Sequence, residues 1–373
     1  MHIGVPKEIK VAERRVGLTP AGVRELVGQG HRVTVQASAG AGIGVADAEY
    51  VDAGAGIADS PEALWGDAEL IVKVKEPQAA ERALLREDHI LFTYLHLAPD
   101  EPQTRELIAS GATCIAYETV TDRNGGLPLL APMSQVAGRM SIQAGAHCLE
   151  ATNGGAGLLL GGVPGVHSAK TVVIGGGVVG ENAIEMAHGL GSAVAVLDRN
   201  LDVLDRLSRR FGSALQTVYS TTQAIEELVL DADLVIGAVL VKGATAPKLV
   251  TAEMVTNMRA GSVLVDVAID QGGCFETSKP TTHDAPTYIV DDVVHYCVAN
   301  MPGGVPRTST YALTNATLPF TSAIARHGVH DALLQDPHLL GGLNVCAGMV
   351  TERNVADAQG LTYVEPAAAL AKR

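Results

Sequence analysis

The chain has 373 residues, a net charge of −14, 47% hydrophobic residues and 18% charged residues. That length favours two domains, and the apolar content rules out wholesale disorder. The acidic balance disfavours nucleic acid and anionic membranes as partners, although a local basic pocket can still bind a small anion.

The predicted elements run as alternating strands and helices. His2–Val5 is an apolar strand, and Thr19-Pro20 then opens a helix that Gly30 ends. Arg32–Gln36 alternates as a strand, and Ser60-Pro61 starts a second helix. Glu69–Val74 and His89–Leu95 are strand-length apolar runs, separated by a charged helix around Ala79–Arg86. Thr113–Ala116 is the next strand. Ala137–Ala151 reads as a long helix, and the glycine-rich stretch Gly154–Gly165 as a loop. Thr171–Ile174 and Ala193–Leu197 are strands either side of a helix that runs to about Leu190. After a helix, a strand and a helix come the strands Asp233–Ile236 and Ser262–Val267. The segment beyond Pro306 reads as helical, including Tyr311–Ala325, and is too short for a substantial core of its own.

Strands alternating with helices imply doubly wound parallel sheets. The fold class is therefore α/β, with two Rossmann-like domains joined by long helices around an interdomain cleft. Residues 1–130 plus 307–373 form a discontinuous substrate domain, and residues 131–306 a nucleotide-binding domain. The five cysteines (Cys114, Cys148, Cys274, Cys297, Cys346) contain no CxxC pair, so neither a zinc knuckle nor a redox dithiol is suggested. Their odd number suits reduced thiols in a cytoplasm. The opening residues do not resemble a signal peptide, and every apolar run is broken short of a membrane span.

Gly175, Gly177 and Gly180 form a G-x-G-x-x-G between a predicted strand and a predicted helix, and Asp198 ends the next strand. The first glycine permits a tight turn. The second lets backbone approach a pyrophosphate, and the third lets helix pack on strand. The helix N-terminus then faces the phosphates. The Asp198 carboxylate would accept hydrogen bonds from the adenosine ribose and repel a 2′-phosphate, which favours NAD over NADP. Arg199 beside it could accommodate that phosphate, but the preferred reading of Arg199 is a solvent-facing side chain.

Charged residues interrupt or end several apolar strands. Lys73 and Lys75 share a face near the end of one, His96 ends another, and Asp270 lies just past a third. Ligands bind at the carboxyl ends of strands in such sheets. Singly, each has a bland reading as a satisfied strand-end charge. Polar groups at three strand ends, from both α/β units, point instead to one shared site in the cleft. In Glu13-Arg14-Arg15-Val16, one arginine could fork onto a substrate carboxylate, the bland alternative being a surface salt bridge.

These residues carry a resemblance that covers almost the whole chain. Its landmarks are Gly4-Val5-Pro6-Lys7-Glu8, Lys73-Val74-Lys75-Glu76-Pro77, Thr93-Tyr94-Leu95-His96-Leu97-Ala98 and Leu130-Ala131-Pro132-Met133-Ser134. The glycine box, Asp266–Gly273 and Val298-Ala299-Asn300-Met301-Pro302 complete the set. The chain thus resembles the alanine dehydrogenase and nicotinamide nucleotide transhydrogenase family. Lys75 and His96, which the transhydrogenase branch typically lacks, place the resemblance on the dehydrogenase branch.

The resemblance implies reversible NAD-dependent oxidative deamination of L-alanine to pyruvate and ammonia, with amination of glyoxylate to glycine as a side activity. The rival readings are a soluble transhydrogenase subunit and a non-catalytic NAD-binding protein. The resemblance further implies that Arg15 and Lys75 bind substrate, with Lys75, His96 and Asp270 catalytic. Ser134, Gly175, Gly177, Val178, Val179, Gly180, Asp198, Ser220, Val239 and Leu240 would line the NAD site. Val267, Ala268, Ile269, Asp270, Lys279, Val298, Asn300 and Met301 would complete it. It implies no metal, a cytoplasmic location and a homo-oligomer of six copies, with small molecules rather than nucleic acid or membrane as partners. Three departures stand out: Ala12 where asparagine is common, Val203 for a basic residue, and Gly303-Gly304 loosening the loop after Met301.

Overall fold

The computed structural model describes residues 1–239 and 246–373. It divides into two compact units, one of residues 1–133 with 305–373 and one of residues 134–304. The first six strands are β1 (His2–Val5), β2 (Arg32–Gln36), β3 (Gly56–Ala58), β4 (Leu70–Val72), β5 (Ile90–Thr93) and β6 (Thr113–Ala116). In the second unit follow β7 (Lys170–Ile174), β8 (Ala193–Asp198), β9 (Leu215–Tyr219) and β10 (Leu234–Gly237), then β11 (Val263–Asp266), β12 (Thr287–Val290) and β13 (Val293–Tyr296). The chain closes with β14 (Leu343–Cys346) and β15 (Met349–Val350).

The first sheet has the order β15-β14-β6-β5-β4-β1-β2-β3, and the second β12-β13-β11-β10-β7-β8-β9. Within the first, β1 to β6 pair in parallel, while β14 runs antiparallel to β6 and β15 antiparallel to β14. The second is parallel except for β12 against β13. Parallel strands are covered on both faces, so they read as continuous apolar runs, and β1, β4, β5 and β6 are buried along their whole length. In the second sheet, successive residues serve opposite cores. Val173, Ile236 and Val265 pack on one side, and Val172, Val235 and Leu264 on the other.

The proline-initiated helices form as their sequences dictate. Thr19 caps Pro20–Gly28 by accepting from the Gly22 amide at 3.3 Å, and Ser60 caps Pro61–Asp67 through the Ala63 amide at 3.2 Å. Four expectations change. The helix expected from Ala137 begins at Ala131, with Pro132 in its first turn, and runs to Cys148. The charged helix around Ala79–Arg86 shrinks to Ala79–Arg82. The segment beyond Pro306 is not wholly helical: after the long helix Pro306–His327 it supplies β14 and β15 to the first sheet. Finally β4 stops at Val72, so Lys73 leaves the strand rather than sharing its face with Lys75.

The consequence for Lys73 is electrostatic. It is 0% exposed, and its Nζ lies 3.0 Å from Glu8 Oε2 and 2.8 Å from Glu81 Oε1. The second Glu8 oxygen accepts the Val74 amide at 2.7 Å, and that of Glu81 accepts the Gln78 amide at 2.8 Å. Burial depresses the Lys73 ammonium, but the two carboxylates outweigh it and hold the pKa above its ordinary value. Glu8 is pushed up by burial, with Glu81 adding to the rise, because one ammonium cannot fully compensate two carboxylates. Lys73 is therefore a structural cation. Lys73→Met leaves both carboxylates buried without a counter-charge and is expected to cost about 3–5 kcal/mol. A urea or thermal melt showing an unchanged midpoint would contradict this assignment.

Candidate functional site

Each sheet changes winding direction at one place. In the first sheet β1 lies between β4 and β2, and in the second β7 lies between β10 and β8. Loops leaving the two strands of such a switch point diverge and leave a crevice at their carboxyl ends. The segment bearing Arg15 follows β1, and that bearing Lys75 follows β4. The glycine box follows β7, and Val239 follows β10. The candidate residues thus gather at the switch point of each unit.

In the first unit, Arg15 is 2% exposed and tightly held. Its Nε donates to Glu13 Oε1 at 2.7 Å and its Nη2 to Glu13 Oε2 at 2.6 Å, while Nη1 faces Met133 Sδ at 3.0 Å. The forked edge expected for a substrate carboxylate is therefore occupied by Glu13. Lys75 is half-buried. Its carbonyl accepts from Thr93 Oγ1 at 2.9 Å, and the Tyr94 amide donates to the preceding carbonyl, that of Val74, at 3.2 Å. Next to it, burial pushes the Glu76 carboxyl up, but a hydrogen bond from Lys10 and the charge of Lys75 together hold it below the ordinary range.

His96 follows β5, the neighbour of β4, and its side chain is 45% exposed. Its backbone is left-handed, with φ of 50°. That conformation is costly for a residue with a Cβ and persists only where the surroundings impose it. Glu118 does so: it accepts from the His96 amide at 2.6 Å and the Leu95 amide at 3.2 Å, and lies 3.8 Å from His96 Nδ1. Tyr94 completes the support. Its ring stacks on the imidazole with centroids 5.7 Å apart, and its hydroxyl donates to the Leu129 carbonyl at 2.5 Å. Sequence reasoning missed Glu118. The available signal was its place just past β6, equivalent to that of His96 past β5.

In the second unit, the glycine box forms the expected turn. Gly175 has φ of 103°, and a Cβ on Gly180 would lie 1.8 Å from the Gly175 carbonyl oxygen, so strand and helix touch only because it is absent. The helix Val178–Gly189 starts here, and its N-cap residue, Gly177, makes no side-chain cap bond. Among the described residues, a Cβ on Gly177 would meet nothing within 4 Å, so they leave room before the first-turn amides. A phosphate suits that position, since both the bare N–H groups and the helix dipole favour an anion. Asp198 ends β8, with Oδ2 accepting the Gly176 amide at 2.7 Å and Oδ1 the Asn200 amide at 2.8 Å. The acid is thus fixed against the glycine turn, and the residues fit a dinucleotide.

Several of the other cofactor candidates follow strands of the same sheet. Ser220 follows β9, and its amide donates to the Asp198 carbonyl at 3.0 Å. Ser134 sits one turn before Gly138, where a Cβ would lie 2.2 Å from the Val179 carbonyl oxygen, so its helix abuts the start of Val178–Gly189. Val267, Ala268, Ile269 and Asp270 form a 3-10 turn after β11, with Asp270 exposed. Val298 is buried, Asn300 has φ of 60°, and Met301 opens a short turn after β13. Lys279 is exposed on the segment between β11 and β12. Leu240 lies outside the described residues. Among the described residues, no group of three His, Cys, Asp or Glu side chains is arranged to hold a metal, and no helix is long and apolar enough to cross a membrane.

A glycine turn at a helix start, beside an acid on the next strand, defines a Rossmann-type dinucleotide-binding protein. Two family models cover the chain: "Alanine dehydrogenase/PNT, N-terminal domain" over residues 4–137 and "Alanine dehydrogenase/PNT, C-terminal domain" over residues 141–353. The alanine dehydrogenase of Halomonas elongata is 63% identical, with 98% of this chain and 99% of that protein covered. That of Mycobacterium tuberculosis is 52% identical, with both chains covered in full. A solved L-alanine dehydrogenase superposes with a TM-score of 0.94 at 52% identity, covering 96% of this chain and 99% of its own. The chain belongs to the alanine dehydrogenase/PNT family.

Two predictions follow from the support of the site. Glu118→Ala removes the acceptor of two amides in a strained turn. Losing hydrogen bonds to a charged group costs about 1.5–3 kcal/mol, so exchange of the Leu95 and His96 amides should quicken by roughly tenfold or more. Unaltered exchange would remove Glu118 from this role. Ala12 adopts φ of 62° in the turn that precedes Arg15, a conformation asparagine tolerates better. Ala12→Asn is expected to raise stability by up to about 1 kcal/mol, read as a higher melting midpoint; a lower one would refute the strain.

Proposed function

We propose that this chain is an L-alanine dehydrogenase that interconverts L-alanine with pyruvate and ammonia, using NAD. The observation that carries the reading is the arrangement at the first switch point: Arg15, Lys75 and His96 at the carboxyl ends of β1, β4 and β5. It occurs in a chain that matches proteins named alanine dehydrogenase from end to end. NAD, when bound, takes up or supplies the hydride, its phosphates at the start of the helix Val178–Gly189 and its adenosine ribose on Asp198.

In the aminating direction Lys75 donates to the carbonyl oxygen of pyruvate, and its ammonium stabilises the negative charge that grows there as ammonia attacks. Arg15 holds the carboxylate. With Glu13 on Nε and Nη2, the substrate meets the Nη1 side, exchanging a weak thioether acceptor for a carboxylate oxygen. Glu13 also offsets the guanidinium charge, which leaves Lys75 as the main source of positive potential at the reacting oxygen. His96 delivers and removes protons as water leaves, and Asp270 assists. Imidazole suits this work because its ordinary pKa of ~6.5 lets both forms be populated near neutrality. A small pocket also admits glyoxylate, since one methyl gives limited discrimination. A reduced cytoplasmic setting, accommodating the five buried free cysteines, and a hexamer of identical chains belong to the same proposal.

The test is NADH absorbance with the purified chain. L-Alanine should drive NAD reduction, with serine, glycine and lysine far poorer. No alanine-dependent NADH would overturn the reading. His96→Ala should lower kcat by about 100- to 10,000-fold while NADH still binds, and near-parental turnover would remove His96 from the chemistry. Lys75→Ala should lower kcat and not merely raise the pyruvate KM.

A further inference from the structure

Asp270 is exposed on a short turn, yet the chain around that turn is anchored from both sides. On the inner side, Asp266 is fully buried and gathers donors. Its Oδ1 accepts the Ala268 amide at 3.1 Å, and its Oδ2 accepts the Cys274 amide at 2.9 Å and Ser278 Oγ at 2.6 Å. On the outer side stands Lys248, whose ammonium faces backbone. Its Nζ donates to the carbonyls of Gly272 at 2.6 Å, Gly273 at 2.9 Å and Phe275 at 3.0 Å.

An ammonium has three N–H donors, and here three carbonyls converge on it. The convergence has a backbone cause. Gly272 and Gly273 both have positive φ, at 89° and 75°, so the chain reverses immediately after Asp270-Gln271. Their carbonyls would otherwise repel one another across a tight turn. The segment carrying Lys248 is stitched to the same turn by amides: Ala246 donates to the Gln271 carbonyl at 3.0 Å, Leu249 to that of Cys274 at 2.7 Å, and Glu276 to that of Val250 at 2.9 Å.

We propose that Lys248 is a positioning residue for Asp270: by gathering the three carbonyls it fixes the reversal that aims the Asp270 carboxylate. A lysine that merely satisfied surface carbonyls would contribute to stability alone. The difference lies in whether the loss on removing Lys248 passes through Asp270. The inference rests on the role given to Asp270 under Proposed function.

The test is a double-mutant cycle of Lys248→Met and Asp270→Asn, followed by kcat for alanine oxidation and KM for NAD. A displacement of about 1 Å in a reacting group can cost up to about a hundredfold, so Lys248→Met should lower kcat by roughly ten- to a hundredfold. The KM for NAD should change by less than kcat, because the glycine turn and Asp198 are untouched while the turn that bears Asp270 shifts. In the Asp270→Asn background, Lys248→Met should have little further effect. Lys248→Cys alkylated with 2-bromoethylamine restores an ammonium at nearly the same reach and should recover kcat; the five native thiols are buried. Parental kcat in Lys248→Met, or a loss repeated in full in the Asp270→Asn background, overturns the proposal. Parental kcat in Asp270→Asn alone overturns instead the role of Asp270, and with it any action of Lys248 through that carboxylate.

Discussion

A strand that pairs in parallel with its predecessor must be reached by a crossover, so every crossover in a parallel sheet leaves from the same edge. That constraint decides where the chemistry of this chain can lie. Arg15, Lys75 and His96 are far apart in sequence but follow β1, β4 and β5, which are neighbours in one sheet. The glycine box, Ser220 and Val239 follow β7, β9 and β10, and Asp198 ends β8; these four strands are neighbours in the other. Neither group could assemble if one strand of its sheet ran the other way. The antiparallel strands β12, β14 and β15 all lie at or near the sheet margins, away from the two switch points.

The second organising factor is how each charge is compensated. Lys73 and Lys75 are two residues apart and chemically identical, yet one is sealed between Glu8 and Glu81 and the other is half-buried beside Glu76. Arg15 is paired with Glu13 through both forked donors, which fixes its orientation. His96 is held at its backbone by Glu118 and at its ring by the stacked Tyr94. A carboxylate thus fixes the Arg15 side chain and the backbone at His96, and a group already held in one conformation has less entropy to lose on meeting a ligand.

Much of this was legible in the sequence, for identifiable reasons. β1, β2 and β6 have the predicted bounds because continuous apolar runs and strict alternation are local signals. The glycine box was legible because its steric demands fall on residues adjacent in sequence. What escaped depended on distant partners. Nothing near Lys73 in sequence announces that Glu8 will bury against it. Glu118 and Lys248 bind backbone groups, which every residue carries and no composition reveals. β14 is only four residues long and joins an edge, and β12 follows a stretch rich in threonine and proline, so neither stands out as a sheet strand. The start of the long helix at Ala131 was missed because Pro132 reads as a break when it is in fact a first-turn residue.

The central claim is that a guanidinium, an ammonium and an imidazole from three adjacent strand ends act on one two-carbon unit of a small oxo acid. A crystal structure of the chain with NADH and pyruvate bound tests it most directly. The account predicts the pyruvate carboxylate on the Nη1 side of Arg15, its keto oxygen hydrogen-bonded to Lys75 Nζ, and the His96 ring beside the same oxygen. Pyruvate bound elsewhere, or with its keto oxygen turned away from Lys75 and His96, would contradict it.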